Sequence, residues 1–455
     1  MSKRFIILII TIVMIISVSF IYPTLGIEKS TYNQHEYAMK DKRDVSGLDE
    51  NGNLVSHLPI IIIKNNGKEF PGRERTDKSK LVCEFSVIDN DKDMNYSNKK
   101  PDYDGFVSIS IRGNSSRYLE KKQYSIKTVD ENGNADNIEL LGMPADSSWA
   151  LNGSFIDKSL IRNYIMNNIS GEIMDYSPRS RLCEVMTTDA DGNCRYEGVY
   201  TLMEKPKVSK SRLNLNVYDP KYSQTSYLIQ MNLNINSFKF SHIKPDSIAA
   251  FAFDLEYPGI DVISKESIDY IQNDIYTFEK VLYDSLNNSD FRKVNKYFDI
   301  DSFVDYYIIN EFFQNYDAGS FSTFFYKDLG GKVNIGPVWD FDGAMNNFEK
   351  EISVESMRLN ETIFFHYMRQ NPYFVRKSVS RYKSLRKTVL SDEYLLNYID
   401  SSAEYLGSAA DRNAQRWYGG DTSLFEKDIE KMKKFVVERG AWLDNNFEKM
   451  STITN

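Results

Sequence analysis

The stretch Asn315-Tyr-Asp-Ala-Gly-Ser-Phe-Ser-Thr-Phe-Phe-Tyr-Lys-Asp-Leu-Gly-Gly-Lys-Val-Asn-Ile-Gly-Pro-Val-Trp-Asp-Phe-Asp342 decides the fold. It reads as two apolar strands, 321–327 and 332–338, joined by a turn at Leu329-Gly330-Gly331. A hairpin folded about residue 330 carries position 340 beside position 320, so Asp317, Asp340 and Asp342 gather at its open end. Three carboxylates there repel one another unless a cation lies among them. Mg2+ suits such a place because it takes oxygen ligands, commonly one or two carboxylates plus substrate phosphates. For any single aspartate the alternative is local: capping the next segment or accepting backbone N–H bonds. The convergence of all three favours a functional site.

Working outward, a helix through Phe303, Tyr307, Ile308 and Phe312 leads into this unit. Upstream, strand signals fall at 60–63, 81–88, 105–111 and 123–129. Val107, Ile109 and Ile111 alternate with Ser108 and Ser110 there, the period of a half-buried strand. A helix is predicted from Asp157 or Lys158, with Leu160, Ile161, Tyr164, Ile165, Ile169 and Ile173 at helical spacing. A hairpin follows, 181–188 with 195–203. From about 265 the chain turns helical, with Ile271, Ile275, Phe278 and Leu282 on one face. Strands first and helices after predict an α+β protein, sheet-rich in its N-terminal part and mostly helical in its C-terminal part.

The composition bounds the function. Of 455 residues 41% are hydrophobic, enough for a sizeable core, and the net charge of −8 argues against nonspecific nucleic-acid binding. Four scattered histidines and no C-x-x-C pair leave no zinc signature, and neither a Rossmann fingerprint nor a Walker P-loop occurs. Lys3 and Arg4 precede an uncharged apolar run over 5–22 with no A-x-A cleavage site after it. A cleaved signal peptide and an uncleaved N-terminal membrane anchor both fit. Cys183 and Cys194 flank the turn at 189–192, which places Cys194 near Thr187 rather than opposite Cys183; free thiols are expected.

Several blocks, taken in order, resemble the spore coat protein H (CotH) kinase family. They are Ile111-Arg-Gly-Asn-Ser-Ser-Arg117, Lys122-Gln-Tyr-Ser-Ile-Lys127, Leu140 to Asp146 with Trp149 to Gly153 and Asp157 to Asn163, Glu197 to Lys205, Leu255-Glu-Tyr-Pro258, and the opening stretch with its Gly336-Pro-Val-Trp-Asp-Phe-Asp342. The resemblance covers about 58–445. It implies a distant protein-kinase-like bilobed fold, with an N-lobe at 58–205 and a C-lobe at 206–450 after an export segment (1–26) and a linker (27–57). It implies Mg-ATP as cofactor and transfer of phosphate to serines of exported or coat-type proteins. Carried over, Asp317 resembles the catalytic-loop aspartate and Asp340 the metal-binding aspartate of D-F-G, with Asp342 a second metal ligand. The nucleotide side then falls to Arg112, Lys127, Arg162 and Glu204, with Lys205 beside it.

Each has a plainer reading. Lys127 serves equally as a solvated strand-end charge, Arg112 as a surface ion-pair partner of Glu120 or Asp104, Arg162 as a helix-flank charge, and Glu204-Lys205 as a strand-end salt bridge. One position departs from the kinase pattern: five residues past the catalytic aspartate, where kinases carry a metal-binding asparagine, stands Ser322. Three readings follow: an active exported kinase; a catalytically weak or inactive scaffold of the same fold in coat or cell-surface assembly; and a glycan hydrolase using paired carboxylates. The last does not explain the cationic upstream blocks. The expected partner is a coat or surface protein, not nucleic acid.

Overall fold

The computed structural model describes residues 35–36, 47–48, 52–90, 94–232, 238–239, 252–347 and 352–453. The apolar run at 5–22 and most of the linker lie outside them. Among the described residues no helix is long and apolar enough to cross a membrane.

The N-terminal half is built on seven strands: β1 (Ile60–Lys64), β2 (Leu81–Ile88), β3 (Tyr103–Ile111), β4 (Tyr124–Val129), β5 (Ser148–Asn152), β6 (Ser180–Thr188) and β7 (Cys194–Glu204). They close into a barrel in the order β5-β7-β6-β1-β2-β3-β4, with β4 pairing back onto β5. Closure leaves no free edge in this sheet. The β6–β1 pair is parallel, Glu184 opposite Ile60.

Strand alternation sorts the side chains. Val107, Ile109, Ile126, Trp149, Leu151 and Leu202 fill the barrel. Their neighbours Ser125, Ala150 and Met203 fall on the outer face, and Ala150 and Met203 pack with Leu228, Phe324 and Trp339 of the other half. By the same alternation Arg112, Gln123, Asn152 and Lys205 continue that outer face. All three described cysteines are free thiols, and Cys194 pairs with Thr188 across the β6–β7 hairpin.

Between β5 and β6 runs α1 (Arg162–Ile173). It begins later than its apolar spacing predicts. The Asp157 carboxylate accepts the N–H groups of Ser159 and Arg162, and Leu160 sits at φ +63, so 157–161 is a turn. Tyr164, Ile165 and Ile169 of α1 pack into the same core as Phe278, Phe303 and Phe325. A helix from the N-terminal half therefore helps to build the C-terminal one.

That second half carries α2 (Lys265–Asn287), α3 (Arg292–Tyr297), α4 (Ile300–Phe312), α5 (Ile363–Met368), α6 (Pro372–Leu385), α7 (Asp392–Leu406), α8 (Ser408–Trp417) and α9 (Ser423–Asn446). The Ser264 hydroxyl caps α2 by accepting from the Ser267 N–H, and Ile271, Ile275, Phe278 and Leu282 are its buried face, as predicted. The half is not wholly helical. It holds a five-stranded sheet in which β8 (Tyr227–Asn232), β9 (Phe238–Lys239), β10 (Ala252–Tyr257), β11 (Thr323–Lys327) and β12 (Val333–Ile335) lie in the order β9-β10-β8-β11-β12. The protein is thus α+β, with a sheet-rich N-terminal region and a largely helical C-terminal part.

The β11–β12 pair is the predicted hairpin. Phe325 faces Ile335 and Lys327 faces Val333, which centres the turn on residue 330. Both strands are shorter than predicted. Ser322 at φ +49 ends one ladder and Gly336 at φ +124, followed by a proline with no N–H to donate, ends the other.

Candidate functional site

The segment after β12 leaves the sheet and crosses to the outer face of the barrel. Trp339 packs there under Arg112, whose guanidinium carbon lies 5.3 Å from the ring centroid. Asp340 follows at φ +63, uncommon for a non-glycine residue, and its carboxylate accepts from the Ser322 hydroxyl at 3.3 Å. Asp317 stands on the loop after α4, where its carbonyl accepts the N–H groups of Ser320 (3.1 Å) and Phe321 (2.7 Å). Burial, then the negative charge of Asp340, pushes the Asp317 carboxyl up to about 6, while Arg358 pulls it back. The hairpin therefore delivers Asp317 and Asp340 into one electrostatic neighbourhood.

Asp342 is placed differently. Its buried carboxylate accepts from the amides of Asn163 (2.7 Å), Asn152 (3.1 Å) and Gln123 (3.3 Å). These come from α1, β5 and the approach to β4, so Asp342 latches the hairpin unit onto the barrel. Asn163 also accepts the Phe341 N–H at 2.9 Å, fixing the backbone beside Asp340. Burial first, then the charges of Asp340 and Asp157, push Asp342 up to about 7 against the Asn152 bond and Arg112. Among the described residues no three His, Cys, Asp or Glu side chains stand close enough to hold a metal by themselves. The trio is a facing pair plus a latch.

The cations sort by strand face. Arg112 donates to Gln123 Oε1 at 3.3 Å and lies beside Asp340 and Asp342; burial lowers its pKa and the two carboxylates raise it again. Lys205, at the end of β7 on the same outer face, approaches the Ser125 hydroxyl at 3.4 Å. Burial, then the like charge of Arg112, pushes its ammonium down to about 8, opposed by Glu256. Lys127 also lies on the outer face of β4 but is solvent exposed.

Arg162 and Glu204 are fully buried in ion pairs whose partners do not include Asp317 or Asp340. Arg162 joins Asp157 and Asp428 and donates to the Ala344 carbonyl at 3.1 Å, bracing the chain just past Asp342. Glu204 faces into the barrel end with Arg179 at 2.6 Å and Arg212 at 3.5 Å. Next-door Glu204 and Lys205 thus point to opposite faces, and it is the lysine that reaches Arg112. Gln123, Asn152, Asn163 and Arg358 received no role from the sequence. The first three fall inside blocks that carry the family resemblance, which was the available signal.

The set suits a hard divalent cation held partly by phosphate. All the donors are oxygens, and Asp317 and Asp342 are both pushed toward protonation, first by burial and then by the charge of Asp340. The Asn315 amide nitrogen is committed to Asn310 Oδ1 and the Trp339 carbonyl, both at 3.1 Å, which leaves its buried Oδ1 without a partner.

This raised pair makes stability depend on pH. Folded Asp317 and Asp342 keep protons to higher pH than unfolded carboxylates, which titrate near pH 4. Their stabilising contribution is fully present below that value and is lost as pH rises through about 6 and 7. Urea denaturation between about pH 5 and 8 is expected to show a loss on the order of a few kcal/mol from this pair. Millimolar Mg2+ with nucleotide should recover it at the high-pH end, and Asp340→Asn should make the slope shallower, leaving the part that burial causes. A slope unchanged in Asp340→Asn would show that Asp340 is not the source.

The carboxylate pair lies where the outer face of the barrel meets the α+β half, with Arg112 beside Asp340. A scan of family models matches the CotH kinase protein family over residues 109–443. That is most of the chain, and the protein belongs to the CotH kinase family. A search of curated proteins returned no match.

Proposed function

We propose that this protein is a Mg-ATP-dependent protein serine kinase acting on exported or spore coat proteins. The observation that carries the reading is that Asp340 lies within electrostatic reach of both Asp317 and Arg112, with Lys205 beside Arg112. In this reading Asp317 orients the acceptor hydroxyl and takes its proton, and Asp340, with phosphate oxygens, holds Mg2+. Arg112 and Lys205 meet the phosphates, with Lys127 at the outer rim, while Asp342 and Arg162 keep the aspartates in place. Bound there, Mg2+ supplies charge neutralisation on the transferred phosphoryl group. A carboxyl raised to about 6 is ionised at neutral pH yet basic enough to accept a proton. Placement outside the cytoplasm, by a signal peptide or an anchor, is part of the proposal.

The purified protein incubated with γ-labelled ATP, Mg2+ and candidate coat or surface proteins tests this. Label on the protein itself or on a substrate, lost in Asp317→Ala, supports it. Mg-ATP binding without transfer selects the scaffold reading, and no nucleotide binding defeats the kinase reading.

The scaffold reading rests on Ser322. It touches Asp340 yet offers only a hydroxyl. Its φ of +49 lies where asparagine is favoured among non-glycine residues. Ser322→Asn is therefore expected to fold normally, lower the Mg2+ concentration for half-maximal rate and raise the rate several-fold. An unchanged Mg2+ titration would mean that no metal is held at this position.

A further inference from the structure

The loop that carries Asp317 has no cation of its own: Ala318, Gly319, Ser320, Phe321 and Ser322 follow it. A cation reaches it from the distant segment 352–361. The Glu311 carboxylate at the end of α4 accepts the N–H groups of Arg358 and Leu359, both at 2.8 Å. Gln314 donates to the Ser353 carbonyl at 2.8 Å and Arg439 to that of Ser356 at 2.7 Å. The next turn packs against the Asp317 loop so closely that a Cβ on Gly319 would lie 2.7 Å from the Thr362 hydroxyl.

This anchoring fixes Arg358. Its guanidinium carbon lies 4.5 Å from the centroid of the Tyr316 ring, within electrostatic reach of Asp317. Its Nε is buried without a hydrogen-bond partner. The contrast with Arg162 and Arg439 is informative, since each of those lies in a buried ion pair with a carboxylate. An arginine stacked by its face keeps its donor edge for a planar array of anionic oxygens, and it stays charged when half-buried.

We propose that Arg358 is a catalytic residue that binds the phosphoryl group in flight between ATP and the acceptor hydroxyl. The inference rests on the kinase reading. In the step, the acceptor serine oxygen forms a bond to the γ-phosphorus while the bond from that phosphorus to the β,γ-bridging oxygen breaks. The electron pair leaves with ADP, and the hydroxyl proton passes to Asp317. Charge on the equatorial oxygens is greatest between donor and acceptor, and there the guanidinium edge counts most.

Full-length Arg358→Gln tests this by two readouts. By kinetics, kcat is expected to fall about 100-fold with the KM for ATP nearly unchanged. By calorimetry, Mg-ADP should bind the variant as it binds the parent, whereas affinity for Mg-ADP with aluminium fluoride, which mimics the phosphoryl group in flight, should drop. Should the glutamine variant fail to fold, Arg358→Lys, which keeps a cation on a similar stem, carries the same comparison with a smaller loss. Equal losses for ADP and the mimic, or an unimpaired kcat beside an active parent, would overturn the assignment alone. A parent that transfers no phosphate would overturn the kinase reading with it.

Discussion

Asp340→Asn is expected to lower phosphate transfer on the order of a thousand-fold or more while leaving the protein folded. Its carboxylate is the one group whose charge raises both Asp317 and Asp342, yet the hydrogen bond it accepts from Ser322 is long, at 3.3 Å. A residue kept for stability would be tied more firmly, as Asp342 is by three amides. Neutralising Asp340 removes repulsion, so the variant should melt at or above the parent temperature near pH 8. It should also lose Mg2+-dependent binding of ATP in calorimetry. Asp317→Ala provides the contrast. It should lose transfer as severely but keep Mg-ATP binding, because Asp317 serves the acceptor hydroxyl rather than the metal. Equal loss of nucleotide binding in both variants would contradict this division of labour.

Glu311→Ala is expected to cost about 3–5 kcal/mol of folding stability, the usual penalty for leaving one partner of a buried ion pair alone. Glu311 and Arg439 are both fully buried and meet at 2.8 Å. Arg439 also donates to the carbonyls of Glu311, Val354 and Ser356, and Glu311 accepts the two N–H groups that anchor 358–359. Truncation strands a guanidinium in the core and frees the segment that presents Arg358. The urea midpoint should fall accordingly, with kcat falling in whatever fraction stays folded. Arg439→Met combined with Glu311→Met removes both charges and should be less destabilised than Glu311→Ala alone. The opposite order would show that the pair is held chiefly by its backbone hydrogen bonds.

What could be read from the sequence follows from the range of the interactions. The hairpin at 323–335 is local: two apolar runs and a Gly-Gly turn fix its register, and its open end places Asp317 near Asp340. Strand 81–88 was legible to the residue because its alternation and its bounding turns are local too. The late start of α1 was not legible, since apolar spacing continues through 157–161 while the Asp157 carboxylate diverts the backbone into a turn. Tyr227–Asn232 was missed because both its faces are buried, Tyr227, Ile229 and Met231 in one core and Leu228 in another, and such a strand shows no alternation. Barrel closure depends on the parallel pairing of Ile60 with Glu184, far apart in the chain, which no local pattern encodes. The site divides in the same way. Its carboxylates were visible, whereas Gln123, Asn152, Asn163 and Arg358 meet them only through tertiary structure. Glu204 shows the finer lesson that in a strand the choice between adjacent residues is a choice of face.

The most direct measurement is the anomalous scattering of Mn2+ in crystals of the protein grown with Mn2+ and a non-hydrolysable ATP analogue. The account predicts a peak bonded to the Asp340 carboxylate and to analogue phosphate oxygens, with Arg112 on the phosphate side and Asp317 free to face an acceptor. Analogue density elsewhere, or a metal bound without Asp340, would contradict it.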